Sequence, residues 1–157
     1  MIKILGIDPG TGILGFGFIE ADNRKLNMVD AGVVRTPAHQ ADELRLLTIY
    51  DEISQLIKEY KPEWLSIEKL FFARNVTTAM AVSQSRGVVL LAATKSNLKI
   101  AEYTPLQIKM AITGYGRADK RQMQEMVKLL LKLDQVPKPD DAADALAAAI
   151  THAQYLT

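Results

Sequence analysis

The sequence of 157 residues has no cysteine and only two histidines. Without cysteine there are no disulfides, thiolate nucleophiles or zinc–thiolate sites, and this is typical of proteins in a reducing compartment. The N-terminus has a short apolar run interrupted by Gly6 and Asp8, which makes a poor signal peptide. We also expect no stretch to approach the roughly 20 apolar residues of a membrane span. These absences predict a soluble, cytoplasmic protein with no membrane partner.

Net charge is also nearly absent, at +1, but the charges are unevenly distributed. Lys95 to Lys132 holds eight basic and three acidic residues, whereas Asp134 to Thr157 holds four Asp and one Lys. A basic stretch beside an acidic cluster suits an enzyme that holds a polyanion and a metal ion. Ordinary solvated helix faces would give the same pattern, so both interpretations stay open here.

The order of hydrophobic patterns predicts an α/β fold. Three strand-like segments with short connections come first, and an amphipathic helix that stops before Pro62 follows them. A strand, a long apolar helix over residues 75–95, a fifth strand and three helices complete the chain. We therefore expect a single domain over residues 1–157. Its five-stranded mixed sheet, three antiparallel strands and then parallel strands, would carry helices on both faces.

Four acidic residues stand in apolar surroundings. Asp8 and Glu68 end predicted strands, and Asp141 and Asp144 are spaced to share one face of the last helix. Acids near a helix N-terminus also favour the helix dipole, and Asp140 could cap this helix. That structural explanation suits Asp144 least, because Asp144 begins the second turn among alanines and a leucine.

Oxygen ligands of this kind favour hard cations such as Mg²⁺ or Mn²⁺. Two such ions about 4 Å apart can activate a water, orient a phosphodiester and stabilise the leaving oxygen. The residue pattern alone leaves a structural role for these carboxylates open. His39 and His152 are better explained as a surface residue and a helix-face residue than as ligands.

Five sequence blocks resemble the RuvC family of Holliday-junction resolvases in order and spacing: "GIDPG", "IEKLFFARN", "QSRGV", "GYGRADKRQ" and "DAADALAAAITH". The resemblance implies a ribonuclease H-like fold and a homodimer. It further implies a Mg²⁺-dependent endonuclease of DNA recombination and repair, with two ions per site and Mn²⁺ as a substitute. Such an enzyme nicks two opposed strands of a four-way junction symmetrically and leaves 5′-phosphate and 3′-hydroxyl ends. A branch-migration helicase complex is an expected further partner.

The resemblance also assigns roles to individual residues. Asp8, Glu68, Asp141 and Asp144 match the metal-binding acids of the family, and Lys120 joins them as a catalytic residue. Phe71 matches an aromatic residue that contacts junction bases, for which stacking supplies the physical reason. The expected contacts with the DNA backbone are Lys109, Lys120, Arg74, Arg86, Arg117 and Arg121. Lys69 departs from the family pattern, which has an amide residue after the glutamate.

The sequence also permits three other interpretations of function. The opening "GIDPGTGILGFG" also resembles the phosphate-binding hairpin of actin-like ATPases, but this chain is too short for their second lobe. A junction-binding module without catalysis is disfavoured by the four acids, and a related family that processes ribosomal RNA is disfavoured by "DAADALA".

For a dimer surface, the helix over residues 75–95 offers small residues that permit close approach: Ala79, Ala81, Ser83, Ser85 and Gly87.

Overall fold

The computed structural model describes residues 1–69 and 76–157. Its five strands form one mixed sheet. The strands within these residues are β1 Ile2–Asp8, β2 Ile13–Asp22, β3 Lys25–Arg35, β4 Trp64–Glu68 and β5 Lys99–Tyr103. Their spatial order is β3-β2-β1-β4-β5. The strand β1 is antiparallel to β2 and β2 to β3, whereas β4 is parallel to β1 and β5 to β4. The predicted order of antiparallel and then parallel strands is confirmed.

Five helices in the described residues follow the predicted segments. They are α1 Asp42–Tyr60, α2 Val76–Lys95, α3 Pro105–Thr113, α4 Lys120–Leu130 and α5 Asp140–Tyr155. Local signals explain several of their ends. Lys61 closes α1 in the left-handed conformation just before Pro62. Capping boxes open α3 at Thr104 and α4 at Asp119, each with a glutamine three residues on.

The core lies on both faces of the sheet because side chains alternate along each strand. Leu5 and Ile7 of β1 pack with α1 and α2, whereas Ile4 packs with α3, α4 and α5. The predicted helical cover on both faces is therefore confirmed. By the same alternation Asp8 lies on the α5 side, two residues after Gly6.

The helix α2 is more exposed than the sequence predicts. We expected a mostly buried helix, yet Val76, Met80 and Leu91 are 67%, 60% and 54% exposed. It is also long and apolar enough, by length and composition alone, to pass as a membrane span, so the expectation that no stretch would do so was wrong. Because 28% of that stretch is buried and α2 packs on α1 and β5, the helix has one face in the fold.

Candidate active site

The first two acids of the site lie at the same edge of the sheet. Asp8 is the last residue of β1 and Glu68 the last residue of β4. These strands are parallel neighbours whose register pairs Ile7 with Ile67, so the two acids follow directly at the carboxyl ends of both strands. Each acid lies two residues after a strand residue that contacts α5, so both side chains point to that face of the sheet. The edge therefore presents two carboxylates to the same helix.

Glycines bring α5 onto this part of the sheet. A Cβ atom on Gly15 would lie 2.0 Å from the backbone oxygen of Asp141, and one on Gly6 would lie 1.9 Å from that of Ala145. Neither distance is compatible with a side chain, so the helix backbone rests directly on β1 and β2. Because Gly15 pairs with Asp8 across the strands, this close approach puts the first turn of α5 beside Asp8.

The pKa values of the acids indicate a crowded carboxylate cluster. Burial, then the charge of Asp144, a hydrogen bond with Asp141 and the charge of Glu68 raise the pKa of Asp8 from 3.8 to about 8. Burial and the charge of Asp144 also raise the pKa of Glu68. For Asp144 burial is the main cause of a raised pKa. The structure thus brings all four predicted acids together, and their mutual repulsion favours a proton or a cation at this site.

Two lysines border the cluster. The Lys120 Nζ lies 3.5 Å from Asp140 Oδ2 and 3.6 Å from Asp144 Oδ2. Burial disfavours its charged form, but Asp144 and Asp140 outweigh this and raise the pKa of Lys120. The charge of Lys109 partly offsets the rise in the pKa of Glu68 that burial and Asp144 cause. Both lysines line a cavity of about 320 Å³ together with Glu68 and Asp144.

The N-terminal end of α5 differs from one expectation. Asp140 was considered as the cap of this helix, but the N-cap is Pro139 and no side chain caps it. Asp140 is instead the first helical residue, and its carboxylate pairs with Lys120. The cap prediction was therefore wrong, and the acid serves to hold the lysine beside the cluster.

The donor set fits a hard divalent cation in its chemistry. All four groups are carboxylates, and burial together with the charges of the other three acids raises the pKa of Asp8. Within residues 1–69 and 76–157, no three acidic or histidine side chains already form a ligand set for a single ion. Mg²⁺ in phosphoryl-transfer sites takes one or two carboxylates and completes its shell with water and substrate phosphate. The four carboxylates therefore supply the one or two protein ligands that each Mg²⁺ ion needs.

The other residues predicted to contact DNA fall into three groups. Arg117 and Arg121 are exposed and flank Lys120 in the chain. Arg86 points inward, because its Nε donates to the backbone oxygen of Glu68 at 3.2 Å. Phe71 and Arg74 lie outside the described residues.

Sequence reasoning missed Ser85, Glu102 and Gly15. The small residues expected at a dimer surface include Ala79 and Ser85, but both are buried, and Ser85 Oγ donates to a backbone oxygen of the loop after β1. Glu102 forms an ion pair with Arg86. Nothing in the local sequence distinguishes Ser85 from the other hydroxyl residues of α2, several of which are exposed. No local signal identifies the long-range partners of Glu102 or Gly15.

Comparison with known proteins relates the whole described fold to one family. The family described as "Crossover junction endodeoxyribonuclease RuvC" matches residues 4–152. A protein of that description from Heliobacterium modesticaldum is 53% identical over 154 residues, which are 98% of this chain and 95% of the relative. Another from Desulfitobacterium hafniense is 58% identical over 150 residues, 96% of this chain and 91% of the relative.

Solved structures give the same result. Thermus thermophilus RuvC superposes with a TM-score of 0.92 at 33% identity, over 99% of this chain and 95% of that one. The same protein in complex with a Holliday junction substrate superposes with a TM-score of 0.94, also at 33% identity and with the same coverage. The yeast mitochondrial Holliday junction resolvase Ydc2, at 14% identity and a TM-score of 0.70, shares the fold over 98% of this chain and 80% of its own.

Proposed function

Because the chain belongs to the RuvC family of crossover junction endodeoxyribonucleases, we propose that it cuts four-way DNA junctions by hydrolysis of phosphodiester bonds. The observation that carries the proposal is the cluster of Asp8, Glu68, Asp141 and Asp144 at one sheet edge, bordered by Lys109 and Lys120. Carboxylates for a metal and cations for a phosphate backbone are the two requirements of a metal-dependent nuclease.

The proposed cofactor is Mg²⁺, with two ions per site and Mn²⁺ as a substitute. Asp8, Glu68, Asp141 and Asp144 would hold the ions. When bound, the ions supply Lewis-acid polarisation of the phosphate and lower the pKa of a water. The position of Asp8 supports this role, since a divalent cation would offset the charges of the neighbouring acids, which together with burial raise its pKa.

The proposed reaction is hydrolysis of a phosphodiester bond, with two lysines placed to act on the DNA. A water attacks the phosphorus, a new P–O bond forms and the bond to the 3′ oxygen breaks, which leaves a 5′-phosphate and a 3′-hydroxyl. Lys120 would stabilise the negative charge near the phosphate, and its pairing with Asp144 keeps it protonated and close to the acids. Lys109, which lines the same cavity, would also hold the DNA backbone.

The proposed DNA surface extends from this cavity. Arg117 and Arg121 are exposed next to Lys120 and would add electrostatic contacts with phosphates. Base contact by Phe71 and phosphate contact by Arg74 and Arg86 stay predictions. So do a single domain over residues 1–157, a branch-migration helicase partner and a cytoplasmic location.

We further propose that the protein acts as a homodimer through α2, since symmetric incision needs two sites. The outer face of α2 carries Val76, Met80, Ser83, Gly87 and Leu91, all exposed and spaced at three- and four-residue steps. A Cβ atom on Gly87 would meet nothing within 4 Å, so this position leaves room for a second backbone. An exposed apolar stripe of this kind is typical of a helix-mediated interface.

The dimer is tested by a charge in the stripe. Met80→Glu should shift the mass measured by light scattering at micromolar concentration from dimer to monomer. Leu47→Glu is the matched control, because Leu47 is a 53% exposed apolar residue on α1. A parent protein that is already monomeric would contradict the dimer.

The catalytic proposal is tested with Asp8→Asn. The purified variant should bind a labelled four-way junction as the parent does but fail to nick it in Mg²⁺, and the parent should prefer the junction over linear duplex. Asp51→Asn, an exposed acid on α1, is the control and should cut normally. Metal-dependent nicking by the Asp8 variant would refute the assignment, and junction binding without nicking by the parent would favour a binding module.

A further inference from the structure

The buried face of α2 contacts the backbone at the ends of β1 and β4, where Asp8 and Glu68 lie. Ser85 Oγ donates a hydrogen bond of 2.8 Å to the backbone oxygen of Gly10, two residues beyond Asp8. The neighbouring Arg86 donates from Nε to the backbone oxygen of Glu68 at 3.2 Å. One helix thus contacts the ends of β1 and β4 through adjacent side chains, on the opposite side of the sheet from α5.

Arg86 also binds a third element. Its Nη2 lies 2.9 Å from Glu102 Oε1 on β5, and the Arg86 side chain is 15% exposed. Glu102 precedes Tyr103, which pairs with Glu68 in the β4–β5 register and whose backbone oxygen accepts from the Lys69 N–H at 2.8 Å. The guanidinium therefore links α2 to the end of β4 and to the strand beside it.

We propose that Arg86 is a positioning residue for Glu68. By fixing the Glu68 carbonyl and Glu102 together, it sets where the Glu68 carboxylate stands relative to Asp8. This inference rests on the proposed nuclease function, in which Glu68 is a metal ligand. It differs from the phosphate contact that the sequence predicts for Arg86, because both bonds of the guanidinium described above are to the protein itself.

The chemistry of the guanidinium explains why an arginine stands here. Two acceptors on different strands require donors at a fixed angle, which the planar fork of arginine supplies and the single ammonium of lysine does not. Groups that orient a metal ligand typically contribute about 10- to 100-fold to metal affinity or activity. A small displacement of Glu68 is therefore enough to be measured.

The test compares Arg86→Gln, Arg86→Lys and Glu102→Gln with the exposed control Lys58→Gln on α1. Junction binding is measured without a divalent metal, and single-turnover cleavage is measured at saturating protein over a Mg²⁺ titration. We expect junction affinity within about twofold of the parent in all variants. For the Arg86 and Glu102 variants, we expect at least a 10-fold higher Mg²⁺ concentration at half-maximal rate or a 10-fold lower rate. The control should match the parent.

A second readout does not depend on cleavage. The rise in melting temperature on adding Mn²⁺ to the protein without DNA should be smaller for Arg86→Gln than for the parent. If the parent does not cut junctions, the nuclease proposal fails, and this shift still tests whether Arg86 positions Glu68. Should Arg86→Gln prove unfolded, Glu102→Gln decides, since it leaves the arginine in place and removes one anchor.

Two results would overturn the inference. One is an Arg86→Gln variant that binds the junction about 10-fold more weakly but cuts at the parental rate when saturated, as a phosphate contact predicts. The other is an unchanged Mg²⁺ dependence and an unchanged Mn²⁺ shift in both the Arg86→Gln and Glu102→Gln variants. If the positions act as one unit, the double variant should be no worse than Arg86→Gln alone.

Discussion

The raised pKa of Asp8 predicts that replacing this acid stabilises the protein at alkaline pH when no metal is present. Burial and three neighbouring carboxylates raise its folded-state pKa to about 8, whereas 3.8 is its ordinary value. Between these values the folded state binds a proton that the unfolded state does not. The stabilisation from that proton is therefore fully present below pH 3.8 and is lost as the pH rises through about 8.

The magnitude follows from the width of the window. From pH 5 to about 8 the parent loses stability over about three pH units, which at about 1.36 kcal/mol per unit is at most about 4 kcal/mol. The pKa values of Asp144 and Glu68 are raised as well, so Asp8 titrates as part of a cluster and we expect roughly half of this limit. Asp8→Asn lacks the titration. Its stability relative to the parent should therefore improve by about 2 kcal/mol between pH 5 and pH 9.

The assay is urea unfolding of both proteins at pH 5 and pH 9 in a chelator, with Asp51→Asn as the exposed control. The free energy of unfolding of Asp8→Asn minus that of the parent should be larger at pH 9 than at pH 5. For Asp51→Asn this difference should be the same at both pH values. Adding Mg²⁺ at pH 9 should stabilise the parent and not the variant, because a ligand stabilises only the state that binds it. An advantage for Asp8→Asn that is equal at both pH values would refute the reasoning.

Three further predictions follow from the structure, two on the acid cluster and one on the core beside it. Gly15→Ala should cost about 1–3 kcal/mol and reduce cleavage, because its Cβ would lie 2.0 Å from the Asp141 backbone oxygen; normal stability by urea unfolding would contradict this. Lys120→Gln should move the rising limb of the pH–rate profile to higher pH, because removal of the lysine raises the pKa of the acid it neutralises; an unmoved limb speaks against the pairing. Tyr103→Phe should cost about 1–3 kcal/mol, because it removes the 2.7 Å hydrogen bond to the buried His152 Nδ1; an unchanged urea midpoint would argue that water replaces the bond.

Elements and their order could be predicted from the sequence because their signals are local. The stop of α1 before Pro62, the alternation of β2 and the Pro-Asp start of α5 each depend on a few neighbouring residues. Strand ends are marked the same way, so Asp8 and Glu68 could be identified as acids that interrupt apolar runs. Their assignment as a metal site came from the family resemblance.

Orientation across long distances could not be predicted. The small and apolar residues of α2 are consistent with a buried helix, and only packing decides that Ser85 faces the sheet while Met80 faces outward. The inward position of Arg86 on α2 depends on Glu102, which lies 16 residues away on strand β5. A charge pattern in the sequence cannot distinguish an arginine that is exposed to solvent from one that binds a backbone oxygen of the same protein.

By itself, then, the sequence determined the α/β order, the strand-end acids and the basic and acidic halves of the C-terminal region, since each is written in neighbouring residues. Only the tertiary structure decided that α5 rests on Gly6 and Gly15 and so brings Asp141 beside Asp8. The same holds for the link from Arg86 to the end of β4. The physical reason is that distances between separated elements are set by close packing, and packing depends on every side chain that shares the contact.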